Sequence, residues 1–189
     1  MKSYICLLTL LSASTLAQNT NHTYVGGDFI YSDLNLDPSG GWDFDNSQSF
    51  GFSVLGGYNF YQKQKLSLSV EAQYYSFGKF DIIDKPYFVK QGTSTSKGYF
   101  INFNSKYYFS KKLALEAGLA LGLANSEVEL GSTLSDKSDA IKFTLGASYD
   151  VLDDLAIVGG LSNTRFDFSN ILTIRNELLS ISAGVRYRL

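Results

Sequence analysis

Eight stretches of this chain alternate apolar residues with small or polar ones, and no other feature restricts the fold as tightly. They run approximately over 23–34, 49–61, 65–78, 97–109, 113–124, 139–151, 155–166 and 177–189. In the second, Phe50, Phe52, Val54, Gly56, Tyr58 and Phe60 share one face, against Gly51, Ser53, Leu55, Gly57 and Asn59. In the third, Leu66, Leu68, Val70, Ala72 and Tyr74 oppose Ser67, Ser69, Glu71, Gln73 and Tyr75. Side chains alternate across a sheet, so a period of two sustained this long specifies strands. "LALEAGLALGLA" (113–124) is rich in helix formers, but helical winding would scatter its leucines around the axis. It too is predicted to be a strand.

The connections alternate as well. Three are short, around "YQKQK" (61–65), "SKK" (110–112) and "LDD" (152–154). Four are longer, at about 35–48, 79–96, 125–138 and 167–176, and hold the Gly, Ser, Asp, Asn and Lys of solvated loops. Short turns on one side and long loops on the other define an eight-stranded antiparallel up-and-down barrel, with both ends of the chain on the short-turn side.

Alternation alone leaves open which face is inside. A soluble lipocalin-like barrel would bury the apolar face. Three observations favour the inverse, a transmembrane barrel. The polar face is rich in Gly, Ser and Ala, which fit a cramped eight-stranded interior. The charges on that face have candidate partners. Aromatics gather near the strand ends: Tyr58, Phe60, Tyr61, Tyr107, Phe109, Tyr149 and Tyr187 toward the short turns, and Tyr74, Phe77 and Tyr99 toward the long loops. Two such girdles bound an aliphatic band in membrane barrels. A twelve-residue strand tilted by about 40° rises about 30 Å, enough for an apolar band about 25 Å tall.

Pairing inside the lumen follows from the turns. A hairpin centred on Lys111 sets Tyr107 against Leu115, Phe103 against Leu119 and, on the inner face, Lys106 against Glu116. Glu71 is expected at the height of Lys106 on the adjoining strand, and Asp28 near Arg186 where first and last strands meet. The expectation is an interior network of Asp28, Glu71, Lys106, Glu116 and Arg186, with Lys142 higher up, since charges in a confined lumen need partners. The seventh segment is ambiguous. Asn163 and Arg165 fall on the parity of Ile157 and Leu161, so the strand either leaves the membrane near Leu161 or switches faces through a bulge at 162–164.

The first residues, "MKSYICLLTLLSASTLAQ", have a Lys, an apolar stretch and small residues ending at Ala17, the pattern of a signal peptide over 1–17. The barrel is expected to span 18–189. Cys6 lies in the segment to be removed, which leaves the mature chain without a thiol or disulfide. Sixteen Lys and Arg against eighteen Asp and Glu imply no nucleic-acid surface.

With its signal segment, "GFSVLGGYNFY", "YFINFNSKYYF" and the terminal "ISAGVRYRL", the chain resembles the small eight-stranded outer-membrane barrels of Gram-negative bacteria. That family includes the transmembrane domain of outer-membrane protein A, outer-membrane protein X and the opacity porins. The resemblance implies a bacterial outer-membrane location and contact with outer-membrane lipids and lipopolysaccharide. It also implies a last strand read by the barrel-assembly machinery through Ile181, Ala183, Val185, Tyr187 and Leu189. A terminal Leu189 departs from the usual Phe. The chain ends at Leu189, so no periplasmic peptidoglycan-binding domain is expected to follow.

The expected function is non-enzymatic: a structural or surface-interaction role through the long loops, with Trp42 and Phe44 as candidate contacts for an extracellular ligand. A small or gated porin is the alternative, and a lipid-modifying enzyme a third reading. His22, the only histidine, lies at the short-turn end, away from an outer-rim Ser–His arrangement. No cofactor or metal is expected. The loop acids Asp37, Asp43, Asp45, Glu127, Glu129, Asp136 and Asp139 lack EF-hand spacing and read as solvated loops.

Overall fold

The computed structural model describes residues 22–36, 42–46, 48–84, 89–129, 133–168 and 174–189; the expected signal peptide lies outside them. The strands are β1 (Thr23–Leu36), β2 (Trp42–Asn46), β3 (Gln48–Lys63), β4 (Leu66–Asp84), β5 (Val89–Tyr108), β6 (Leu113–Glu129), β7 (Thr133–Asp150), β8 (Leu155–Phe168) and β9 (Ile174–Arg188). Both β2 and β3 pair with β4, one above the other, so the nine strands make eight staves. All neighbours are antiparallel, β1 meets β9, and the β4–β5 pairing closes the barrel.

The register sets the tilt. A row of paired residues runs Thr23, Tyr58, Val70, Phe103, Leu119, Phe143, Asn163, Leu179 and returns to β1 at Asp33, ten positions farther along. That stagger over eight staves corresponds to a strand tilt of about 40°. It also means that residues sharing a level in the lumen come from positions well out of register with one another.

The apolar face points outward. Phe29, Val54, Tyr99, Leu121, Leu145, Ile157 and Ile181 are exposed, while Asp28, Ser53, Gln73, Asn102 and Lys142 are buried. This inverted surface is stable against lipid, and closure leaves no open sheet edge for hydrocarbon to strand.

Two expected loops are strand instead. β4 and β5 continue to Asp84 and Val89, and β6 and β7 to Glu129 and Thr133. Alternation persists there with polar residues on both faces: Thr93 and Lys97 outward, Ser94 and Ser96 inward, the latter two within 3.4 and 3.1 Å of the Ser126 hydroxyl. Polar composition marks a loop only where a strand must stay in hydrocarbon. Above the apolar band the outer face meets water while the inner serines bond one another, and the hairpin can extend.

β8 stays in register with β7 and β9 from Leu155 to Phe166, with no bulge at 162–164. Its upper end has left the apolar band. Arg165 points outward and pairs with Glu177 at 2.7 Å, and Phe166 turns into the lumen.

Candidate functional site: the plugged lumen

The lower lumen is a polar network. Arg186 grips Asp28 with two nitrogens, at 2.6 and 3.2 Å, and Asp28 also accepts from Ser53 Oγ at 2.7 Å. The planar guanidinium matches both carboxylate oxygens, a strong and directional pairing. It ties β9 to β1 across the seam. Gly184 makes the approach feasible: a Cβ there would stand 2.2 Å from Asp28 Oδ1. Lys106 and Glu116 face each other in the register and approach to 2.7 Å, close but poorly directed for a hydrogen bond.

Glu71 is not the cross-strand partner of Lys106, although both line one small cavity in the lumen. The register sets Glu71 opposite Asn102, and Lys106 opposite Ser67. Glu71 accepts instead from the Tyr24 hydroxyl at 2.7 Å. Tyr24 reaches it by lying over Gly57, where a Cβ would meet its ring at 2.3 Å. Levelling strands by their turns fails here because the turns are staggered: Leu66, just past the β3–β4 turn, pairs with Tyr107, four positions short of Lys111.

Lys142 is buried and takes uncharged partners. Its Nζ donates to Gln73 Oε1 and lies 4.7 and 4.9 Å from the ring centres of Tyr75 and Phe100. Gln73 bridges onward, donating to Ser53 and accepting from Asn102. Two cavities of about 60 and 40 Å³ break this polar stack, lined by Asp28, Glu71, Glu116 and Arg186 among others. Spaces of that size hold a few waters.

Above Lys142 the lumen turns apolar. Ile30, Tyr75, Phe77, Phe80, Phe100, Phe166 and Leu178 form one buried cluster. Phe77 stacks on Tyr75 at 4.5 Å and approaches Phe166 and Phe100 at 6.0 and 6.5 Å. Phe77 was expected in the outer girdle; it is fully buried inside. The signal for this plug was the inward parity of its members other than Phe80, scattered over several strands; Phe80 turns inward only after the register shift at Gly78. Sequence reading also missed the lower rim, where Arg188 pairs with Asp150 at 2.7 Å and donates to the Asp153 carbonyl.

On β9, Ile181, Ala183, Val185, Tyr187 and Leu189 all present outward, and the Leu189 amide donates to the Thr23 carbonyl at 2.9 Å to complete the seam. Trp42 and Phe44 pair through their backbones with Asp84 and Ile82; their side chains lie outside the described residues. Among the described residues, no cluster of His, Cys, Asp and Glu is arranged to hold a metal.

Comparison with known proteins gives this architecture a family. The outer membrane protein beta-barrel domain matches residues 3–188. The chain belongs to that family. As a member it is an outer-membrane protein of the Gram-negative type. Solved structures agree on the fold. Neisserial surface protein A is 19% identical, with a TM-score of 0.56 over 90% of this chain and 98% of that one. Ail of Yersinia pestis is 13% identical, with a TM-score of 0.54 over 88% and 98%. OprG of Pseudomonas aeruginosa is 11% identical, with a TM-score of 0.58 over 88% and 95%. Curated protein sequences yield no match.

Proposed function

We propose that this chain is a closed, non-enzymatic outer-membrane barrel that acts through the surface at its long-hairpin end. The aromatic plug carries this reading. An eight-stranded lumen is only wide enough to be filled by side chains, and here four phenylalanines, a tyrosine and two aliphatic residues fill one level of it. Ions crossing it would have to shed their water against hydrocarbon, at a cost of several kcal/mol. Below the plug, the charges are spent on each other and on neutral hydrogen-bond partners. The β4–β5 and β6–β7 hairpins, carried past the apolar band as strand, offer stiff polar ribbons for an extracellular partner. The outward residues of β9 are the surface proposed to meet the barrel-assembly machinery.

Recording single channels from the purified, refolded protein in planar bilayers tests this. The expected trace is flat. Stable conductance steps would overturn the closed reading in favour of a small porin.

A further inference from the structure

The short turns enclose a cup at the lower mouth of the barrel. Gln62, Gln64 and Lys65 from the β3–β4 turn, Ser110 and Lys111 from the β5–β6 turn and Asp153 from the β7–β8 turn line a cavity of about 760 Å³. Short turns of outer-membrane barrels lie on the periplasmic side, so the cup opens to the periplasm. Its floor is closed. Asn59, Tyr108 and Arg188 line both the cup and the 40 Å³ cavity above it, and there Arg188 pairs with Asp150 and Lys106 with Glu116, both at 2.7 Å.

The floor charges neutralise one another; the rim charges do not. Among the described residues, the Lys65 and Lys111 side chains form no ion pair or hydrogen bond. Asp153 gives only its backbone carbonyl to Arg188, and its carboxylate is likewise uncommitted. Successive turns stand two strands apart, about 10 Å at the usual strand spacing. Lys111 therefore lies between Lys65 on one side of the mouth and Asp153 on the opposite side, with the β9–β1 seam in the remaining quarter.

Neutral polar groups fill the space between these charges. Ser110 Oγ accepts from the Lys112 and Leu113 amides at 3.3 and 3.0 Å, which leaves its own proton to donate. Gln64 takes φ +50°, a left-handed conformation that glycine would adopt without strain. What glutamine adds there is an amide over the cup, beside that of Gln62. Cations on one side, a carboxylate on the other, and amides between them complement a peptide with both ends free. A span of about 10 Å is that of roughly three extended residues. An inorganic anion would satisfy the lysines and leave Asp153 unused.

We propose that the periplasmic mouth is a binding site for a short zwitterionic peptide. Its carboxylate lies between Lys65 and Lys111, its ammonium meets Asp153, and its peptide groups bond to Gln62, Gln64 and Ser110. The cup, at about 760 Å³, is within the size range of small-molecule sites. It lies below the plug and is the same in a closed barrel or a conducting one.

Isothermal titration calorimetry of the refolded barrel in detergent, with trialanine, N-acetyltrialanine, trialanine amide and inorganic phosphate as probes, tests the site. Heat-modifiable gel mobility verifies folding of each variant. Trialanine should bind, and either blocked peptide about tenfold more weakly, since each loses one charge-assisted contact. K65Q/K111Q should weaken trialanine about tenfold and leave trialanine amide unaffected, because the carboxylate they hold is already gone. Asp153→Asn should do the same for trialanine and leave N-acetyltrialanine unaffected. K97Q, at the opposite end of the barrel, should alter none of them. The proposal is overturned if trialanine shows no saturable binding, if a blocked peptide or phosphate binds as tightly as trialanine, or if either rim variant binds trialanine like the parent protein.

Discussion

Replacing Arg186 by Met removes one half of the seam ion pair and leaves the other half behind. Asp28 is 6% exposed at its side chain and Arg186 16%, so neither is well solvated by bulk water. Without the guanidinium, Asp28 keeps the Ser53 hydroxyl but no cation in contact. Breaking a buried pair by removing one member costs about 3–5 kcal/mol. Water in the adjoining cavity offsets part of this, and about 3 kcal/mol is expected. The double variant D28N/R186M carries no stranded charge and should recover most of the loss, since the cost lies in the uncompensated carboxylate rather than in the missing contact. Urea-induced unfolding in a fixed detergent, followed by heat-modifiable gel mobility, measures both. If R186M loses under 1 kcal/mol, or if the double variant is as unstable as R186M, the argument from a buried, paired charge is wrong.

Truncating the plug with F77A/F100A should turn a silent barrel into one with measurable conductance steps in planar bilayers, because these rings close the level above Lys142. Gly184→Ala should destabilise the barrel by about 2 kcal/mol in the same urea assay, since the new methyl overlaps Asp28 Oδ1 and the Gly27 carbonyl. Glu177→Gln should change stability by less than about 1 kcal/mol, because its pair with Arg165 is largely exposed on the outer face. Tyr187→Ala should lower the amount of barrel recovered in the outer membrane while refolding in detergent proceeds normally; equal recovery would separate the last strand from assembly.

Much of the lumen is legible because hairpin register is local. Once "SKK" is taken as a turn, Lys106 must face Glu116, and the register follows strand by strand from there. Asp28 and Arg186 are legible for a related reason, as inward residues near the two ends that a closed barrel brings together. Glu71 was set level with Lys106 because the stagger between the β3–β4 and β5–β6 turns leaves no mark in the alternation of either strand. The plug was harder still. Phe77, Phe100 and Phe166 lie on β4, β5 and β8, and nothing within one strand says that they meet.

The sequence by itself determined the strands, the faces and the short-turn pairings, because each depends on side-chain period or on residues a few positions apart. The tertiary structure decided what shares a level. That depends on the stagger of ten positions around the barrel and on the turn of the chain at Gly78, which sends Phe80 into the lumen and Lys79 to the outer face. Stagger is a property of the closed sheet as a whole, so no single strand can carry it.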